Sequence, residues 1–381
     1  MFELAEDKRP KGAVIKVIGV GGCGGNTVNY MMSKNLEGVE FICANTDMQA
    51  LSSSKATCIQ LGAELTKGLG AGGDPEVGSN AAKENADQIR QILEGADMVF
   101  VTAGMGGGTG SGASPVIAEL AKEHGALTVA VVIKPFQFEQ AMRMQIAEQS
   151  IAELSEHVDS LIIVSNEKLC SVFGAEAELE NTMEKAHDVL YSAVQGIAEL
   201  ITRKGLINPD FADIKTVMSE PGRAMISSGS AEGEDRASEA MHNAIQNPLL
   251  EDMDLNNVRG LLVNITSANV TIGEIEEIGN SIKELTADNA KFKMGVVSDE
   301  TIGDAIRITV VATGIEADAD SDSMATAADV EAEPLPLKTI KGGGEGSADA
   351  TQLPLSSESE SEDDKYNNLL DIPAFLRKQV D

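Results

Sequence analysis

Six glycines in nine residues, Gly104-Met-Gly-Gly-Gly-Thr-Gly-Ser-Gly112, constrain this chain more than any other stretch. Met98-Val-Phe-Val-Thr-Ala103 precedes them and reads as a buried parallel strand. Ser114-Pro-Val-Ile-Ala-Glu-Leu-Ala-Lys122 follows and reads as a helix, with Ser114 as N-cap and Pro115 in the first turn. A strand, a glycine loop and a helix start bring unpaired N–H groups and the positive end of a helix dipole to one point. Glycine lets an anion come close to the main chain, and Thr109 and Ser111 add hydroxyl donors. A phosphate is the natural occupant. A tight turn without a ligand is the bland alternative, and so dense a cluster at such a junction disfavours it.

Two more glycine clusters precede this one. Ala13-Val-Ile-Lys-Val-Ile-Gly-Val20 reads as the first strand and leads to a helix from about Asn26 to Lys34. Between them Gly19, Gly21 and Gly24 match G-x-G-x-x-G, which fits a dinucleotide site, a mononucleotide site or a close helix–strand contact. Glu40-Phe-Ile-Cys-Ala-Asn-Thr-Asp47 is a second strand. Asp47 lies where a ribose-binding acid belongs in a dinucleotide fold, or else caps the short helix Met48–Ser52. Gly62 to Gly78 includes a mobile glycine loop, Gly68–Gly78, either a flexible surface turn or, as its recurrence near the other two favours, part of a shared site, and Ser79 to Glu94 reads as a helix.

Further strands fall at Leu127–Ile133 and Ser160–Ser165, the latter delivering Asn166 to a carboxyl end. Glu139 and Arg143 are four apart, a spacing that favours a surface pair over a ligand contact. A long helix runs from about Thr182 to Lys204. Asn208-Pro-Asp-Phe-Ala-Asp213 follows, and its two carboxylates either activate water, bind a cation or cap the next element. From Ala224 a smaller α+β region is expected: a loop at Ser227–Gly233, helices at Glu234–Ile245 and Ile272–Leu285, and strands at Gly260–Thr266, Lys291–Val297 and Ala305–Gly314.

Composition narrows the function classes. A formal charge of -32 opposes general nucleic-acid binding and direct contact with anionic membranes. Cys23, Cys43, Cys58 and Cys170 show no metal-ligand spacing and suit a reducing cytosol. No apolar run approaches membrane-spanning length, so a cytoplasmic protein without membrane insertion is expected. From Glu316 to Lys365 fourteen acidic residues face three lysines, the composition of a disordered linker. Tyr366–Asp381 then regains apolar character at Leu369, Leu370, Ile372, Phe375 and Leu376, as a docking peptide would. No G-x-x-x-x-G-K-[ST] occurs, so main-chain amides, helix ends and Mg²⁺ must hold any phosphates.

Gly104–Gly112 resembles the signature loop of the tubulin/FtsZ family, in its bacterial cell-division form. Gly19–Asn26, Asn45-Thr-Asp47, Ala71-Gly-Gly73, Lys134-Pro-Phe136 through Arg143, Asn208–Asp213 and Leu370–Leu376 are similar to further motifs of that family, in order along nearly the whole chain. The resemblance implies an α/β fold: a Rossmann-like parallel-sheet GTPase domain, a long central helix and a smaller α+β C-terminal domain. The expected boundaries are 1–12 for a flexible N-terminus, 13–181 for the GTP-binding domain and 182–204 for the helix. The catalytic loop and its connection take 205–223, the C-terminal domain 224–315, the linker 316–365 and the peptide 366–381.

Carried over by motif, GTP or GDP with Mg²⁺ would meet Gly21, Gly22, Gly25, Asn26, Asn45, Asp47, Ala71, Gly72 and Gly73. It would also meet Gly104, Gly107, Gly108, Thr109, Gly110, Glu139, Arg143, and, at guanine, Asn166 and Asp188. Asn208, Asp210 and Asp213 would complete a neighbouring subunit's site in a head-to-tail polymer. The terminal peptide would dock on membrane-tethering division adaptors, and the polymer would concentrate at the mid-cell ring. The chain departs from the family pattern at Met183, where an aromatic is common, and at His187, where Asn is common. An NAD-dependent oxidoreductase and a non-hydrolysing nucleotide-binding scaffold are the alternatives.

Overall fold

The computed structural model describes residues 12–168, 179–203, 205–246, 258–285 and 290–315. Residues 1–11, Cys170, the acidic linker and the terminal peptide Tyr366–Asp381 lie outside the described residues. Ten strands form one sheet: β1 (Ile15–Val20), β2 (Val39–Asn45), β3 (Thr57–Gln60), β4 (Met98–Gly104), β5 (Leu127–Lys134), β6 (Ser160–Ser165), β7 (Arg223–Ala231), β8 (Gly260–Ser267), β9 (Lys291–Ser298) and β10 (Ile306–Ile315). Their order is β3-β2-β1-β4-β5-β6-β7-β10-β8-β9. The first six strands are parallel and run 3-2-1-4-5-6, the doubly wound nucleotide-binding order.

The central strands are apolar throughout because helices cover both faces. Alternation sorts their side chains. Ile15, Val17, Met98 and Phe100 enter one core with the long helix, and Ile18, Val20, Val99 and Val101 enter the other. The helices are α1 (Gly21–Ser33), α2 (Met48–Ser52), α3 (Ala63–Thr66), α4 (Pro75–Glu84), α5 (Ala86–Leu93), α6 (Gly108–Glu123), α7 (Ala141–His157), α8 (Leu179–Thr202), α9 (Phe211–Met218), α10 (Arg236–Ile245) and α11 (Ile272–Leu285). α8 is about 36 Å long at 1.5 Å per residue, and Leu190, Val194 and Ile197 bury its stripe.

The sheet continues from β6 into β7 through a short parallel seam, Leu161 to Arg223 and Ile162 to Ala224. Beyond it β7, β10 and β8 are antiparallel, and β9 lies parallel to β8 at the edge. α10 and α11 cover this half around a third core that includes Ala240, Met241, Ile278 and Ile282. Buried Glu199 on α8 is tied to it by Arg307 Nη2 at 3.0 Å.

Several expected boundaries change. The serine-rich stretch from Ser227 is strand β7, not a loop. Pairing with β10 and the fit of Gly229 against the main chain of α10 override its weak strand propensity. The helix expected from Ser79 to Glu94 is two helices meeting at Asn85, and the first starts at Pro75, capped by Asp74. α1 and α6 begin several residues earlier than expected, at Gly21 and Gly108. Ser114 and Pro115 therefore lie inside α6, where Ser114 Oγ donates to the carbonyl of Gly110 at 2.6 Å.

Candidate functional site

Strand order reverses between β1 and β4, and a doubly wound sheet binds ligands at the carboxyl ends beside such a reversal. α1 starts directly after β1, and α6 starts just after β4. Neither helix has a side-chain cap or an acidic residue in its first turn. Two sets of unpaired N–H groups and two positive dipole ends therefore converge. Gly21 takes φ +71°, and a Cβ there would lie 3.0 Å from the nitrogen of Gly110, so the two helix starts touch.

A cavity of about 300 Å³ opens over them, lined by Gly21, Gly22, Gly104, Gly107, Gly108, Thr109 and Gly110, with Glu139, Arg143, Asn166 and Met183. A pocket of about 50 Å³ shares Gly21 and Gly22 and adds Gly25, Asn26 and Asn45. Ala71, Gly72 and Gly73 line neither. They are brought alongside by helix packing. A Cβ on Gly108 would meet Ala71 Cβ and Asp74 N at 2.8 Å, one on Gly78 the carbonyl of Gly108 at 2.3 Å, and one on Gly112 the carbonyl of Pro75 at 1.9 Å. Main-chain contact between α4 and α6 thus sets the Ala71–Gly73 loop on the start of α6.

The hydroxyls expected as ligand donors also make hydrogen bonds within the protein. Ser111 Oγ, fully buried, accepts from Gly106 N at 2.9 Å. Thr109 Oγ1 pairs with Thr46 Oγ1 at 2.7 Å. Asp47 caps α2, accepting from the N–H groups of Gln49 and Ala50, and lines neither cavity. Glu139 and Arg143 form the ion pair that spacing favours, at 2.6 Å, and do so at the cavity wall.

Asn166 is 4% exposed, and its Oδ1 has no hydrogen-bond partner in the protein. A buried acceptor of this kind calls for a donor from elsewhere. Asp188 does not line this cavity. Asp188 Oδ1 accepts from Tyr30 Oη at 3.0 Å, and the residue lines a separate cavity of about 150 Å³ with Ser192 and Ser227. His187 Nδ1 meets Thr27 Oγ1 at 2.9 Å, and burial lowers its pKa. Sequence reasoning gave Cys23 no role, although it stands inside the first glycine motif. It lines the cavity, and burial, reinforced by the nearby Glu139 carboxylate, pushes its thiol up to about 11.

The acid loop is built elsewhere. Leu206 N donates to the carbonyl of Val296, and Val296 N to that of Ile207, both at 2.8 Å, so the segment is strapped to β9. Asn208 closes it: Oδ1 accepts from Gly205 N and Nδ2 donates to the carbonyl of Arg203, each at 2.9 Å. Asp210 is the N-cap of α9 and accepts from Asp213 N at 2.7 Å. Asp213 Oδ1 meets Lys293 Nζ at 2.7 Å. Asn208, Asp210 and Asp213 do not line the glycine cavity. Lys293 was also missed; its signal is the charged–apolar alternation Lys291-Phe-Lys293 on an edge strand. Among the described residues no three His, Cys, Asp or Glu side chains are grouped to hold a metal ion, and no helix is long and apolar enough to cross a membrane.

Comparison with known proteins agrees with this geometry. Residues 14–174 match the model of the Tubulin/FtsZ family, GTPase domain, and residues 222–316 that of the FtsZ family, C-terminal domain. The cell division protein FtsZ of Coxiella burnetii is 56% identical over 317 residues, 83% of this chain and 82% of that protein. That of Pseudomonas aeruginosa is 56% identical over 319 residues, 83% and 81% of the two chains. A solved FtsZ dimer from M. jannaschii superposes with a TM-score of 0.76 at 41% identity, covering 81% of this chain and 89% of that one. CetZ2 from Haloferax volcanii shares the fold, with a TM-score of 0.69 at 21% identity over 80% and 93% of the chains. The reversal point, its two uncapped helix starts and both domain matches in sequence order place this chain in the tubulin/FtsZ family, as a GTPase of its FtsZ cell-division branch.

Proposed function

We propose that this chain polymerises head to tail in the cytoplasm into filaments of the mid-cell division ring, and that GTP is hydrolysed only where two subunits meet. The observation that carries the reading is the separation of parts. Among the described residues the glycine cavity has one lining carboxylate, Glu139, already paired with Arg143, whereas Asp210 and Asp213 stand on a loop strapped to β9. A neighbour's acid loop supplies what the cavity lacks. Exposed apolar side chains adjoin both parts: Phe138 and Met142 next to Glu139 and Arg143 in sequence, and Leu206 and Ile207 next to Asn208, with Phe292 next to Lys293. A contact between unlike ends leaves one of each free, so it propagates.

In this reading the α1 and α6 amides hold the phosphates, and Asn166 Oδ1 takes an N–H of the base. Asp188 would meet the base with its Oδ1 already accepting from Tyr30 Oη. Asn208 sets the loop's shape, while Asp210 and Asp213 orient and polarise the attacking water. Since no protein cluster suits a metal among the described residues, Mg²⁺ would ride on the phosphates and neutralise their charge there. Tyr366–Asp381 would dock on membrane-tethering adaptors.

The test is GTP turnover per subunit against protein concentration, with light scattering recorded alongside. Turnover and scattering should appear together above a threshold; turnover independent of concentration would mean a site complete in one chain. Asp213→Ala should keep GTP binding and lose about 100-fold in turnover. Deleting Tyr366–Asp381 should leave hydrolysis intact and abolish co-sedimentation with an adaptor; retained co-sedimentation would refute the docking role.

A further inference from the structure

We propose that Lys293 is the counter-ion that carries Asp213 into the contact between subunits, which makes it a positioning residue for hydrolysis. This rests on the shared-site reading above.

β9 holds the acid loop and the helix α9 that follows it at three points. Its main chain pairs with Ile207, Lys293 holds Asp213 at 2.7 Å, and Lys291 holds Glu220 just past the end of α9. The two lysines are two residues apart on a strand, hence on one face. Together they pin α9 at both ends and fix the direction in which Asp213 points. Within Gly205–Asp213 itself there is no lysine or arginine. Lys215 follows on α9, but two residues along a helix face different ways. Arg203 is paired with Asp299 at 2.6 Å.

The pair answers an electrostatic difficulty. A chain of net charge -32 must bring two carboxylates up to a triphosphate on another copy of itself. Like charges repel strongly at such distances. Lys293 offsets one of the carboxylates before the approach and keeps its side chain from sampling other directions. Both side chains are 38% exposed. A pair so open to water adds little to the stability of the fold, so its removal should be felt in assembly and turnover instead.

The experiment uses the full chain with Lys293→Met and Lys293→Arg. It records GTP binding, thermal unfolding, and turnover per assembled subunit well above the threshold. Lys293→Met should bind GTP and melt as the parent does, yet turn over about threefold more slowly, the scale of a half-exposed pair. Lys293→Arg should restore most of the loss. Unchanged turnover in Lys293→Met would overturn the proposal, as would faster turnover, which would make Lys293 a restraint on the acid. Asp213→Ala run in parallel separates the two failures. If it is inactive while Lys293→Met is normal, only the counter-ion role falls; if it is fully active, the shared-site reading falls and takes this role with it.

Discussion

The glycine cavity is made of main chain, and the acid loop is made of side chains. At the cavity, two helix starts and the glycines that let them touch present N–H groups whose positions follow from the sheet. At the loop, a cap, an amide clamp and an ion pair hold two carboxylates on the rim of an edge strand. The first arrangement is rigid and ready for an anion in a single chain. The second has charge held by side-chain contacts and does not line the glycine cavity. On the proposed reading the main chain meets the phosphates, and side chains held by their own contacts supply the hydrolytic acids.

If that contrast is right, the largest effects should come from packed glycines. Gly112→Ala would place a Cβ 1.9 Å from the carbonyl of Pro75 and 2.7 Å from Ser79 N, both main-chain atoms. α4 would have to move off α6. Overpacking of this kind costs about 1–3 kcal/mol or more, and GTP binding should be lost with it. A variant that melts and binds like the parent would show that α4 is not seated on α6 as described.

Gly22→Ala sharpens the same point from the other side. Nothing lies within 4 Å of a Cβ there, and the residue is inside α1 at the wall of both cavities. Alanine is the better helix former by about 1 kcal/mol, so thermal stability should hold or rise slightly. GTP affinity should nonetheless fall about tenfold, because the methyl stands where phosphate meets the main chain. Unchanged affinity would mean that the phosphates do not approach at Gly22.

These two kinds of glycine could not be told apart in the sequence. The motifs marked where the main chain comes close to something. Whether that something is a ligand, as proposed at Gly22, or another helix, as at Gly112, depends on partners far along the chain. The parallel half was legible, because strands buried on both faces are continuous apolar runs between turn signals. β7 was not, since its serines are tolerated only through pairing with β10 and contact with α10. Helix starts were placed late because glycine is a poor helix former, yet the first turns of α1 and α6 are largely glycine. The Asp210 and Asp213 carboxylates were visible as an acid pair, while Lys293, the ion-pair partner of Asp213, comes from a strand eighty residues further on.

At the acid loop the effects on stability should be smaller, and separable from those on turnover. Asp210 both caps α9 and belongs to the proposed hydrolytic pair. Asp210→Ala removes the cap at about 1 kcal/mol, whereas Asp210→Asn retains it. The alanine variant should therefore melt about 2–4 °C lower and the asparagine variant close to the parent, with turnover reduced in both. If the asparagine variant hydrolysed GTP normally, Asp210 would be a cap only.

The smallest effect belongs to Cys23, the one ionisable group set among the backbone donors of α1. Burial, with the Glu139 carboxylate beside it, raises the thiol from 9.0 to about 11. The folded chain therefore holds this proton more tightly than the unfolded one. Its contribution to stability is complete below about pH 9 and is lost as the pH climbs toward 11. At neutral pH the group is an uncharged thiol that does not repel a phosphate, so Cys23→Ala should change neither GTP affinity nor melting temperature at pH 7. Above pH 9 the parent should lose stability more steeply than the variant, and alkylation should reach exposed Cys58 well before Cys23. Rapid labelling of Cys23 at pH 8 would mean a thiolate at the cavity wall, and the cavity would then carry a negative charge of its own where the geometry of two helix starts calls for none.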